Sequence, residues 1–264
     1  MFGSEQALIQ SKTLLRIIYR LIGEFRFPIR LRGYYLAQVL PSNFFPHTIW
    51  DAGCGAGHTS FYLMRRFSAA KLLGSDLNPE MVRQCSLIAE QDHLTRAEFV
   101  IGDLCEMKSE KEYDLVTCFE VLEHIEDYDA AISNLCSSLK PGGYLIVHTP
   151  SDTRFQEPQF GIRRFGRQSH WSNTLEKGQF HVRPGFQLTD LVETIQRHQL
   201  AIERIEYTFG PLAMHAHTIY EFTRTRKPYM LATYGLLMGI GLLDWQFGRR
   251  EGGGLLLLAK KPLQ

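Results

Sequence analysis

The hydrophobic pattern along this 264-residue chain changes character at Thr48. Before it, residues 5–27 form an apolar run carrying Lys12, Arg16 and Arg20 at i, i+4 and i+8. That spacing puts three cations on one face of a helix. After it, short apolar runs alternate with amphipathic ones. The runs predict strands near 47–51, 71–75, 97–101, 113–119 and 143–149, with helices near 57–67, 79–91 and 127–139 between them. Asn78-Pro79-Glu80 is a helix start with proline at the first helical position, and Lys140-Pro141-Gly142-Gly143 is a turn before the fifth strand. Such alternation predicts an α/β fold, Rossmann-like and doubly wound, with a mostly parallel seven-stranded sheet.

Past Pro150 the rhythm breaks. Residues 151–186, rich in Arg, Gln, Phe and Gly, read as a lid loop. A helix over 187–199 and a strand over 200–208 follow. An insert at 210–252 with aromatic, basic and apolar blocks reads as a helical cap, and an apolar strand from Gly254 to Ala259 comes last. The expected organisation is a helical N-terminal extension (1–45) and one catalytic-sized domain (46–264).

Composition narrows the class. At 44% hydrophobic and 22% charged residues the chain resembles ordinary globular proteins, not disordered or collagenous ones. Five cysteines, Cys54, Cys85, Cys105, Cys118 and Cys136, are odd in number and never spaced C-x-x-C. They suggest reduced thiols in a cytoplasmic setting and no metal site. Met1–Gln10 lacks the order of a secretory signal, and the apolar stretch Tyr229–Leu243 is shorter than a bilayer span.

The chemistry concentrates at the strand tips. Asp51-Ala52-Gly53-Cys54-Gly55-Ala56-Gly57-His58 lies between a strand and a helix. Its glycines permit a tight turn and close backbone approach to a ligand. His58 stands where a dinucleotide fingerprint requires glycine, which argues against an NAD oxidoreductase. Asp76 closes the second strand, where a carboxylate can accept both hydroxyls of a ribose, or else cap the next helix. Asp103 closes the third, and the fourth runs into Phe119-Glu120-Val121-Leu122-Glu123-His124.

Together these motifs resemble the class I S-adenosylmethionine (SAM) dependent methyltransferases. F-E-V-L-E-H-I and L-K-P-G-G-Y-L-I-V resemble the small-molecule branch that includes ubiquinone-pathway enzymes. The resemblance is close over 48–150 and loose elsewhere. It implies SAM as cofactor and S-adenosylhomocysteine (SAH) as product. It implies that Gly53, Cys54, Gly55 and Gly57 pass under the methionine part, with Asp51 orienting the loop and the ammonium group. Asp76 would hold the ribose, with Leu77 against the adenine. Asp103 and Leu104 would meet the adenine, and Phe119 and Glu120 would line the sulfonium side.

An oxygen acceptor needs its proton removed, and histidine suits that task near neutral pH. His181, His148 and His124 are the candidates, with His170 behind them; each also has an ordinary packing or hydrogen-bonding role open to it. No proline-rich motif of base- or glutamine-modifying enzymes follows strand 4, so nucleic acid is not the expected partner. O-methylation is favoured, with C- and N-methylation open. A SAM-binding enzyme of other chemistry, such as a cyclisation, and a non-catalytic SAM-binding protein are the alternatives.

Charge sharpens the picture. The formal net charge of +1 hides 8 Lys/Arg against 16 Asp/Glu over residues 34–150. Residues 1–33 and 154–186 each carry 6 against 2, and residues 221–251 carry 5 against 3. An acidic core suits a cationic cofactor. Apolar stretches flanked by cations at 5–27 and 224–250 suit either a cap over the site or peripheral membrane contact. On both counts a hydrophobic or amphiphilic small-molecule acceptor is expected.

Overall fold

The computed structural model describes residues 26–107, 112–152, 181–223, 227–246 and 251–263. The predicted helix over 5–27 falls almost wholly outside them, as does most of the predicted lid with His170. The first described helix is instead α1 (Phe27–Val39), with Pro28 in its first turn. Phe27, Leu31, Tyr35 and Val39 recur every fourth residue and all are buried. That stripe anchors this part of the chain to the domain.

The expected alternation follows: β1 (Thr48–Ala52), α2 (His58–Arg66), β2 (Lys71–Asp76), α3 (Pro79–Gln91), β3 (Ala97–Ile101), β4 (Tyr113–Phe119), a 3-10 turn (Leu122–His124), α4 (Tyr128–Ser137) and β5 (Leu139–Pro150). Then come α5 (Leu188–Arg197), β6 (Ala201–Thr208), α6 (Pro211–Thr223), α7 (Lys227–Gln246) and β7 (Gly254–Lys260). The seven strands form one sheet in the order β3-β2-β1-β4-β5-β7-β6. All neighbours are parallel except β7, which runs antiparallel between β5 and β6. The insert between β6 and β7 folds as a helical pair, α6 and α7.

Both faces of the sheet are covered, which explains the near-continuous apolar runs of its central strands. Ile49, Leu115, Ile146 and Leu256 pack under α1, α2 and α6. Trp50, Val116, Leu145 and Leu257 pack under α4 and α5. Strand β5 starts earlier than its sequence suggests. Lys140–Gly143 is not a free turn but an irregularity within the strand, with Tyr113 opposite Leu139 and then Leu115 opposite Tyr144. Among the described residues no helix is long and apolar enough to cross a membrane.

Candidate active site

Strands β1 to β5 end along one edge of the sheet, and a cavity of about 1170 Å3 opens there. Its floor is the glycine loop. Gly53 and Cys54 both donate their amides to the Ser75 carbonyl at 2.8 Å, which binds the loop to the end of β2. Gly53, Gly55 and Gly57 all have left-handed φ, at 74°, 50° and 80°. They do different work. A Cβ on Gly57 would meet the Phe61 ring at 2.5 Å and the Cys85 thiol at 2.9 Å, so this glycine lets α2 start against α3. A Cβ on Gly55 would meet nothing within 4 Å, because this glycine borders the cavity.

The acid at the tip of β2 is fixed to that floor. Asp76 accepts from the Gly55 amide at 2.7 Å through one oxygen and from the Asn78 amide at 2.9 Å through the other. Helix α3 takes its cap from Asn78, whose side chain accepts from Glu80, so Asp76 is not the capping residue. Asp103 is held by the Cys105 amide at 2.8 Å. Asp76, Leu77, Asp103, Leu104, Phe119 and Glu120 all border the cavity, as do Gly53 and Cys54.

Two of the expected cofactor residues, Asp51 and Gly57, do not border the cavity. Asp51 is 1% exposed and sits behind the loop, accepting from the Ser60 hydroxyl and, at 2.8 Å, from Thr117. Burial pushes its carboxyl up to about 6, against the pull of those two bonds. It ties β1, β4 and α2 together. Gly57 is likewise behind the wall, for the packing reason above.

Glu120 carries the densest set of contacts. Its φ of 56° is unusual for a residue with a side chain and stores on the order of 1–3 kcal/mol of strain. Its amide donates to the His148 carbonyl at 2.8 Å. Its carboxylate takes His148 Nδ1 on one oxygen at 2.7 Å and Arg32 of α1 on the other. Burial alone would raise this carboxyl, but Arg32 and His148 outweigh it and hold it near 2. His148 is 2% exposed, and its other ring nitrogen meets the Thr208 hydroxyl at 2.9 Å. It therefore stands behind Glu120, and burial lowers its proton affinity further.

His124 and His181 come together. Their rings meet edge to face, with centroids 4.6 Å apart. The chain returns to this point because Arg183 donates to the Leu122 and Ile125 carbonyls, both at 2.6 Å, and to Glu126 at 3.0 Å. Its guanidinium also lies over the rings of Tyr128 and Phe186. Val182 adds a bond from its amide to the Glu123 carbonyl at 3.0 Å. His124 borders the cavity. His181 Nδ1 and Glu123 Oε1 are buried without hydrogen-bond partners. Burial, with the nearby Glu120 charge, pushes Glu123 up to about 8; burial and His124 lower His181. One ligand atom from each of Glu123, His124 and His181 lies within 4.8 Å of the others, a spacing that could receive a metal ion. The sequence reading expected no metal and missed this grouping, because the Arg183 clamp is invisible in linear spacing.

The opposite wall was also missed. Arg30, Arg32 and Tyr34 of α1 and Tyr62 and Arg65 of α2 face the cavity, beside Ile29, Leu36, Met238 and Leu242. The fourfold stripe of α1 was the available signal.

Known proteins with the same pattern agree with this architecture. Residues 47–203, more than half of the chain, match a family model described as a methyltransferase domain. The ubiquinone biosynthesis O-methyltransferase of Xanthomonas axonopodis pv. citri is 28% identical over 180 residues, which cover 67% of this chain and 71% of that one. The chain spans less than half the length of several other curated relatives. Among solved structures, the Haemonchus contortus phosphoethanolamine N-methyltransferase 2 bound to SAM superposes with a TM-score of 0.61 at 16% identity, over 88% of this chain and 52% of that one. The cyclase SpnF superposes with a TM-score of 0.60 at 19% identity, over 89% and 81%. The chain belongs to the class I SAM-dependent methyltransferases: it is an enzyme of that family, and SAM is its cofactor.

Proposed function

We propose that this enzyme transfers the methyl group of SAM to an oxygen of a small, largely apolar acceptor. The carrying observation is the two-sided cavity: carboxylates and the glycine loop on the sheet edge, and opposite them helix faces that set Ile29, Leu36, Met238 and Leu242 beside Arg30, Arg32 and Arg65.

The residues fit the cofactor's chemistry. SAM is a sulfonium and ammonium cation with a ribose diol and an adenine, and it supplies an electrophilic methyl group when bound. Asp76 would hold the ribose hydroxyls, rigid because the loop already anchors it. Asp103 would accept from the adenine amine, with Leu77, 67% exposed, covering the ring. Gly55 leaves room for the methionine part. Glu120, ionised by Arg32 and His148, would face the sulfonium with negative charge. Phe119, stacked on His148 at 7° between ring planes, would shield it from water.

The acceptor would enter between Met238, Leu242 and the α1 wall. His124 would take the acceptor's proton, with His181 and Glu123 as its neighbours. Positioning within a dry pocket supplies most of the acceleration in displacements of this kind. The exposed Leu212, Ile219, Phe222, Leu236 and Leu243 of α6 and α7 support a peripheral membrane contact through which such an acceptor would arrive.

The test is transfer of label from methyl-tritiated SAM into organic extracts of the source cells. A labelled, extractable product supports the reading. Tight SAM binding with no transfer into any extract favours a SAM-binding enzyme of other chemistry.

A further inference from the structure

We infer that Thr208, at the end of β6, is a positioning residue for methyl transfer: its hydroxyl holds His148 in the ring form that aims the Glu120 carboxylate at the sulfonium. This rests on the reading of Glu120 given above and extends it to a residue that does not itself border the cavity.

The His148 ring bridges two strand ends. Nδ1 meets one Glu120 oxygen at 2.7 Å, and Nε2 meets the Thr208 hydroxyl at 2.9 Å. An ionised carboxylate only accepts, so Nδ1 carries the hydrogen. Burial lowers the ring's proton affinity, which leaves Nε2 as a lone pair. The Thr208 hydroxyl is the donor that fills it. Donation into Nε2 also polarises the ring and strengthens the Nδ1–H bond to Glu120. Phe119 stacks on the ring at 5.5 Å, and Phe209 meets it edge to face at 6.1 Å. Those contacts set the plane of the ring but are indifferent to which nitrogen bears hydrogen. Glu120 and Thr208 decide that.

The backbone is strained at both ends of this relay. Glu120 and Phe209, the residue after Thr208, hold left-handed φ of 56° and 50°. Strain of this kind collects at functional sites. Gly254 of β7 lies opposite Thr208, and a Cβ there would stand 2.5 Å from the Thr208 hydroxyl and 3.1 Å from His148 Nε2. The ladder therefore keeps room for the bond. Glu120 also has Arg32 on its other oxygen. With the His148 contact weakened, the carboxylate would be drawn toward that cation and away from the sulfonium.

The test is calorimetric titration of the full chain with SAM and with SAH, which differ by the methyl group and the sulfonium charge. Thr208→Val keeps the shape and lacks the hydroxyl. It should lower affinity for SAM relative to SAH about tenfold, the size of one hydrogen bond to a charged group. Thr208→Ser keeps the hydroxyl and should hold the parent ratio. A merely structural loss would weaken both ligands alike and leave the ratio unchanged. Long-range nitrogen–proton NMR spectra of the parent chain with isotope-labelled histidines, His148 being identified by its absence in His148→Gln, should show hydrogen on Nδ1 only. Hydrogen on Nε2 in the parent, or an unchanged ratio in Thr208→Val while Glu120→Gln shifts it, overturns this inference alone. An unchanged ratio in Glu120→Gln overturns the reading of Glu120 at the sulfonium as well.

Discussion

The Gly55 amide donates to the Asp76 carboxylate at 2.7 Å, which makes the turn under the cofactor and the acid beside it one mechanical unit. Asp76→Asn keeps the shape but weakens a charge-assisted bond inside that unit and removes the charge. We expect SAM affinity to fall about tenfold to a hundredfold, as such bonds are worth about 1.5–3 kcal/mol. Equilibrium titration of SAM against both proteins measures it; unchanged affinity would remove Asp76 from the site.

Gly55 and Gly57 separate binding from stability. Gly57→Ala meets both a left-handed φ and the Phe61 and Cys85 side chains, so it should lower the melting temperature by several degrees, corresponding to about 1–3 kcal/mol. Gly55→Ala has open space, so its folding cost is the φ penalty of about 1 kcal/mol, while SAM affinity drops because the methyl fills the floor. Thermal melts with and without SAM distinguish the two.

Glu123 gives a stability trend with pH. Its folded pKa, about 8, lies above the ordinary 4.5. The folded state therefore holds a proton that the unfolded chain releases as pH rises. Stability contributed by this site is full below about pH 4.5 and is lost progressively up to about 8. Glu123→Gln, a neutral mimic, should gain on the parent protein over that window. Denaturant midpoints of both proteins from pH 5 to 8 test this, and a constant gap would contradict it.

The histidines should divide by location. His124→Gln should cut label transfer from SAM by about a hundredfold or more if its ring takes the proton. His148→Gln acts only through Glu120 and should weaken SAM binding more than it slows a bound turnover. Single-turnover rates at saturating SAM separate these effects.

Leu236 is 68% exposed on the outer side of α7, so Leu236→Glu should leave the fold intact. It should abolish pelleting with phosphatidylglycerol-rich vesicles at low salt. A parent protein that does not pellet would end the membrane reading.

Strands β1, β2 and β4 were legible because each is a largely buried apolar run, with glycine after β1 and aspartate closing β2. Helix α1 was not, since the louder apolar run at 5–27 drew attention from the stripe through Leu31 and Tyr35. Asp51, a strand-end acid next to the glycines, reads as a ligand contact, while the bonds it accepts from Ser60 and Thr117 depend on chain crossings that linear spacing does not show. His181 carries no local signal of its partnership with His124. That pairing depends on three carbonyls closing around Arg183, a contact between segments far apart along the chain.

Strand β7 carries a consequence for biosynthesis. It lies between β5 and β6, yet it follows both along the chain, after the α6–α7 pair. Among the described residues β6 has no other strand to bond to, so on a ribosome it must wait unpaired while some 45 further residues are made. The cofactor edge, β1 to β5, could fold early; the far edge cannot. Truncation between Thr208 and Gly254 would therefore strand β6 and expose the outer side of β5, leaving a SAM-sized pocket on a sheet with a raw edge.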